Sequence, residues 1–187
     1  GDAKKNNDFI TATQKFLESY SSKLNMQLLQ KNEPEFLAEI KKIHSDLEKN
    51  LDENADKIGA DTDVIKLKKD ELTTNILTFL IQYQSTHGQV TGNPTFKVSK
   101  TFSDYEKSLT KNNDRMVKEL PVYRNYLLNK VGQDFQTFAE KQQDKNTASM
   151  SAVFARFLAT QKEMSQTTKD YLLAFVIAKF DLNPYTG

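Results

Sequence analysis

The spacing of the apolar residues constrains the fold of this chain more than any other feature, because they recur every three or four positions over most of its length. This period places apolar side chains on one face of a helix. The 6 glycines and 4 prolines are few for a turn-rich β-protein of 187 residues. The sequence is therefore predicted to be all-α, an antiparallel helical bundle of about six to seven helices.

Three long helices are predicted in the N-terminal half of the chain. The first continues to about Gln30, and Asn32 can cap the second. Gly59 fits the left-handed position that follows a helix end. Asp61 starts the third helix, which is predicted to close at Gly88.

A longer loop is predicted near residues 88–101, followed by a cluster of shorter helices. Ser103 and Glu106 match the S-x-x-E pattern of a capping box, which predicts a short helix that residues 112–114 interrupt. Pro121 opens the next helix, because a proline at the first helical position leaves no needed N–H unpaired. Two more helices are predicted, one from Thr147 and one from Ser165 or Thr167.

The last of these helices contains the most apolar stretch of the sequence, Tyr171 to Phe180, where Lys179 is the only charged residue. A helix that is apolar nearly all round is expected to be buried. Phe175, at its centre, is predicted to pack against four aromatic residues of the preceding helices: Phe135, Phe138, Phe154 and Phe157. The stretch has half of the roughly 20 residues that a membrane span needs, so no transmembrane segment is predicted.

The length favours one all-helical domain over residues 1–187. The alternative is a division at the long loop, with a three-helix unit at residues 1–88 and a cluster of shorter helices at residues 102–187. Lys and Arg number 26 and Asp and Glu number 25, so the net charge is +1. This balance removes the usual argument for a nucleic-acid partner.

One acidic segment matches part of a calcium-binding loop. Asp52, Asn54, Asp56 and Asp63 occupy positions 1, 3, 5 and 12 of an EF-hand pattern. Lys57 stands where that loop needs glycine for its sharp turn. The sequence therefore favours a helix end rich in acids, followed by the cap of the next helix, and predicts no metal site.

Catalytic patterns are also missing from the sequence. Cysteine is absent, which excludes disulfides, thiol catalysis and cysteine-ligated metals in this chain. His44 and His87 are the only histidines, and each is predicted to be an ordinary surface or capping residue. The aromatic residues of the helix that starts at Pro121 could line a ligand groove, but their spacing is more typical of a core. No catalytic, cofactor-binding or metal-binding residue is predicted, and the chain is not expected to be an enzyme.

Two parts of the sequence together resemble a known family. One is the helical region from Phe9 to Tyr83, with the phrase K-L-K-K-D-E-L-T-T-N-I-L at residues 66–77. The other combines F-K-V-S-K-T-F-S-D-Y at residues 96–105 with L-P-V-Y-R-N-Y-L at residues 120–127. Together they are similar to the helical region upstream of the thioredoxin domain in Bacteroidetes-type thioredoxin-like (TlpA-like) proteins.

The resemblance implies a non-catalytic scaffold or recognition domain of an exported thioredoxin-like protein, periplasmic or anchored at the outer membrane as a lipoprotein after signal removal. The redox domain would lie outside this chain and would be a covalently linked partner. No catalytic residue transfers, because the chain has neither the thioredoxin domain nor a cysteine. The alternative is a stand-alone secreted or periplasmic helical protein that binds a ligand or a protein partner.

Overall fold

The computed structural model describes residues 2–142 and 148–181, and all regular secondary structure in these residues is helical. This confirms the all-α prediction. The helices are α1 Ala3–Ser21, α2 Met26–Gln30, α3 Glu33–Ile58, α4 Thr62–Val90, α5 Lys100–Ser108, α6 Asn113–Glu119, α7 Pro121–Glu140, α8 Met150–Ala159 and α9 Gln166–Val176. A π-helical turn, Ile177–Asp181, follows α9.

The chain forms two compact units, an N-terminal unit of residues 1–111 and a C-terminal unit of residues 112–187. The N-terminal unit contains α1 to α5. The loop at residues 91–99 therefore lies inside this unit rather than at its boundary. None of the helices in the described ranges is long and apolar enough to cross a membrane.

Two local signals fix the ends of α3 as the sequence predicts. The side chain of Asn32 accepts a hydrogen bond from the Glu35 N–H, and Pro34 lies in the first turn. Gly59 adopts a φ of +78°, a left-handed conformation that costs glycine little and other residues more. These ends reverse the chain, so that α3 runs antiparallel to the helices on either side of it.

A stack of aromatic side chains forms the core at one end of the N-terminal unit. Phe36 of α3 is fully buried, and its ring lies 3.9 Å from that of Tyr83 on α4, measured between centroids. Phe102 of α5 stacks on both of these rings. Such pairs each contribute about 0.5–1.5 kcal/mol beyond the burial of apolar area, so α5 is an integral part of this core.

The other end of the N-terminal unit is held by α1. Phe9 is fully buried against Leu51 and Ala55 of α3. Next to it, Asn6 donates to the Asp61 carboxylate at 3.0 Å and accepts from the Asp61 N–H at 2.9 Å. The N-terminal ends of α1 and α4 are thereby joined beside the C-terminal end of α3.

The prediction of one continuous helix up to Gln30 is wrong. The helix ends at Ser21, and Asn25 starts the short α2 by accepting a hydrogen bond from the Leu28 N–H. The interruption lets Leu28 and Leu29 turn into the core of the unit, where both are buried.

The predicted capping box at Ser103 is also wrong. Ser99 caps α5 instead, with its hydroxyl accepting from the Phe102 N–H at 3.3 Å. Ser99 is held in place because its own N–H donates to the Glu33 carboxylate at 2.7 Å. Glu106 is buried in the helix and accepts from Gln84, so its side chain is not available for a cap.

Within residues 112–142 and 148–181, the C-terminal unit contains one helix more than the sequence predicts. Residues 112–114, expected to break a helix, begin α6 instead, and α6 buries Met116 and Val117. Pro121 begins α7 and Ser165 caps α9, both as predicted. The predicted start of α8 at Thr147 lies outside the described residues, and Ser149 caps this helix.

The core of the C-terminal unit includes the four aromatic rings that the sequence singles out. Phe135 and Phe138 of α7 contact Phe154 and Phe157 of α8 at centroid distances of 5.1–5.7 Å. However, Phe175 of α9 is not buried among them. Its ring is partly exposed and lies 5.6 Å from the guanidinium carbon of Arg124.

The last helix is thus buried only in part: α9 contacts α6, α7 and α8, but Phe175 does not lie at its buried centre as predicted. Leu172 and Val176 are buried, whereas Tyr171 is 38% exposed. Ala174 and Ala178 face solvent. Alanine loses little by exposure, so a stretch that is apolar in composition can still have an exposed face.

Candidate functional site

A cleft between α1 and α4 of the N-terminal unit is a candidate binding site. Both helices pack on α3, and the cleft opens above the end where Asn6 and Asp61 join them. Its apolar surface consists of Phe16 and Leu17 from α1, Leu47 and Leu51 from α3, and Leu72 from α4. We call this space the α1–α4 cleft.

The cleft is narrow. It encloses about 430 Å³, including space open to solvent. Leu47, Leu51 and Leu72 are buried and form its floor, whereas Phe16 and Leu17 remain partly exposed on the wall. The cleft therefore presents an apolar floor and an apolar wall to anything that enters it.

The polar lining of the cleft is mostly uncharged. It consists of Thr13, Gln14, Asn50 and Asn75, together with Lys68 and Glu71. Lys68 and Glu71 pair with each other at 2.9 Å on the same face of α4, so their charges compensate. Thr13 donates to backbone carbonyl oxygens of its own helix. Gln14 and Asn75 lie at exposed positions on opposite walls, and the Gln14 amide donates to the Glu18 carboxylate at 3.3 Å.

A second, wider groove lies between the end of α1, α2 and α3, and three lysines line it. Each lysine is already engaged. Lys31 pairs with Glu39 at 2.6 Å, and Lys42 pairs with Asp46 at 3.4 Å. The ammonium of Lys23 lies 4.3 Å from the centre of the Tyr20 ring. This groove is thus a solvated face on which two of the three lysines pair with carboxylates and the third lies over an aromatic ring.

The residues of the calcium-loop pattern are not brought together. Asp52, Asn54 and Asp56 lie on α3, where residues two apart point in different directions. Asp52 pairs with Lys69 of α4 at 2.6 Å, and Asn54 donates to Asn50. Asp63 lies in the first turn of α4. In the part of the chain that the structure describes, no three acidic or histidine side chains are placed to share a metal ion.

His44 is enclosed more than the sequence predicts. Its side chain is 12% exposed, and Nδ1 lies 3.3 Å from the hydroxyl of Tyr105 on α5. Nε2 lies 3.3 Å from Glu48, one turn along α3, in an approach too oblique for a hydrogen bond. Burial lowers the pKa of His44, and the nearby Glu48 carboxylate opposes this effect. The same environment raises the pKa of Tyr105 to about 12.

His87 is a core residue, whereas the sequence predicts a surface or capping role for it. The imidazole is buried and stacks on the Tyr83 ring, with 4.5 Å between the ring centroids. The centroid of the Phe96 ring lies 4.4 Å away. Its Nδ1–H donates to the carbonyl oxygen of Leu29 at 2.8 Å. The ring thus satisfies a backbone acceptor that α2 brings into the core.

A polar cluster in the C-terminal unit has no counterpart in the sequence analysis. The Asp114 carboxylate in the first turn of α6 accepts hydrogen bonds from Ser165 at 2.6 Å and Thr168 at 3.1 Å. These bonds lower the pKa of Asp114. Asn113 donates to Thr168 and accepts from Tyr123. The cluster joins the first turns of α6 and α9, and its members satisfy one another.

The aromatic residues of α7 form core rather than a groove. Tyr123 and Tyr126 are buried, and their rings stack at 5.5 Å. Phe135 and Phe138 face the aromatic residues of α8, as described above.

The α1–α4 cleft could not be predicted from the sequence, because its depth depends on how three helices that are separated in the chain pack together.

None of the protein-family models, curated proteins or solved structures that were compared with the chain matches it. The similarity to the TlpA-like proteins therefore stays a prediction from the sequence phrases. Within the N-terminal unit, the aromatic residues of one phrase anchor the core, since Phe102 is buried there and Phe96 contacts His87.

Proposed function

We propose that the chain is a non-catalytic helical recognition domain that binds a partner through the α1–α4 cleft. The observation that carries this proposal is the apolar lining of the cleft, where Phe16 and Leu17 stay partly exposed beside the buried Leu47, Leu51 and Leu72. Concave sites with an apolar lining and a few polar groups are the usual places where proteins bind ligands. The partly exposed Phe16 and Leu17 would become covered on binding.

The proposal extends to the setting that the sequence phrases imply. In this setting the chain is the scaffold or recognition part of an exported TlpA-like protein, and disulfide chemistry belongs to a linked thioredoxin-like domain. The alternative is a stand-alone secreted binding protein. A β-α-β pattern with Cys-x-x-Cys, encoded downstream of Gly187 in the same reading frame, favours the first setting, and a stop codon there favours the second.

Site-specific photocrosslinking tests the recognition function. A benzoylphenylalanine is introduced at Gln14 or Asn75, on the two walls of the cleft, or at the exposed Lys66, which does not line it. The protein is then irradiated in its source cells, and adducts are identified by mass spectrometry. The proposal expects one partner that crosslinks from both walls but not from the control position.

The purified partner is then tested for direct binding to the intact chain by calorimetry. Phe16→Ala should weaken this binding, whereas Lys66→Ala should leave it unchanged. Equal crosslinking from all three positions, or binding that is insensitive to Phe16→Ala, would show that the cleft is not the recognition surface.

A further inference from the structure

We draw no further inference here: the strongest candidate, the α1–α4 cleft with the partly exposed Phe16 and Leu17 on its wall, is an apolar surface, and nothing in the structure shows what covers it.

Discussion

At the scale of single residues, two glycines in helices differ in whether a side chain would fit at their positions. A Cβ at Gly88 would lie 2.5 Å from the carbonyl oxygen of Asn93, where the chain leaves α4 and folds back. A Cβ at Gly132 of α7 would meet nothing within 4 Å. Only the first position therefore needs glycine for space.

We expect Gly88→Ala to destabilise the protein, because the added methyl group would force the backbone at Asn93 to shift. This shift would strain the hydrogen bond from the Asn93 N–H to the Gly88 carbonyl oxygen. Gly132→Ala should stabilise it by about 0.5–1 kcal/mol, since alanine restricts the unfolded chain and favours the helix. Urea denaturation of the two variants measures both effects. A stabilised Gly88→Ala variant would contradict the close approach in this turn.

The enclosure of His44 predicts a dependence of stability on pH. Burial lowers its pKa below the ordinary value of 6.5, so the unfolded chain binds the proton more readily than the folded chain. The free energy of unfolding should then be highest above pH 6.5 and should decrease as the pH falls below it, until the folded-state pKa is passed. Lys41, Glu48 and Tyr105 are the charged and titratable groups near this ring.

Urea denaturation between pH 5 and pH 7 tests this effect, since few carboxylates titrate in this range. His44→Gln should flatten the decrease, whereas the wild-type chain should retain it. NMR titration of the two imidazoles gives the pKa of His44 directly. A value at or above 6.5 would show that Glu48 outweighs burial.

At the scale of elements, α5 tests how a helix start is chosen. Both Ser99 and Ser103 can cap a helix, but Ser99 is positioned by Glu33 and accepts from Phe102. Ser99→Ala should cost about 0.5–2 kcal/mol of stability, as is usual for loss of an N-cap. Ser103→Ala, in the helix interior, should cost much less. Chemical denaturation measures both losses of stability. Equal losses for the two variants would favour the predicted S-x-x-E capping box at Ser103.

The same element shows what the sequence can predict. Local signals at Asn32, Gly59 and Pro121 determine helix ends correctly, because each acts through its own backbone. The start of α5 depends on Glu33, 66 residues away in the chain, and no local pattern reports this contact. The α1–α4 cleft is even harder to predict from local sequence, since residues of three helices form it.

The aromatic residues of the C-terminal unit give a matched pair for packing. Phe154 is buried against Phe135 and Phe157, whereas Phe175 is partly exposed beneath Arg124. Phe154→Ala should therefore cost about 3–5 kcal/mol, from lost transfer energy and the cavity left behind. Phe175→Ala should cost clearly less, and thermal melting compares the two. A larger loss of stability for Phe175→Ala would show that Phe175 lies at the centre of the core.

At the scale of the whole molecule, the boundary between the two units decides which residues form a self-sufficient core. The stack of Phe36, Tyr83 and Phe102 draws all its members from residues 1–111. A division at the loop, which the sequence offers as an alternative, would separate Phe102 from its two partners. The position of α5 in the fold thus determines where the chain can be divided.

Two fragments distinguish these boundaries. The fragment of residues 1–111 should be helical and unfold cooperatively, because its core is complete. The fragment of residues 1–98 lacks α5 and leaves a cavity where Phe102 was buried. Loss of a buried phenylalanine typically costs about 3–5 kcal/mol, against a usual total stability of about 5–15 kcal/mol. The shorter fragment should therefore melt at a much lower temperature or without a cooperative transition, as circular dichroism would show.

Equal melting temperatures of the two fragments would mean that α5 adds little to this core. The loop at residues 91–99 would then be the boundary between the units.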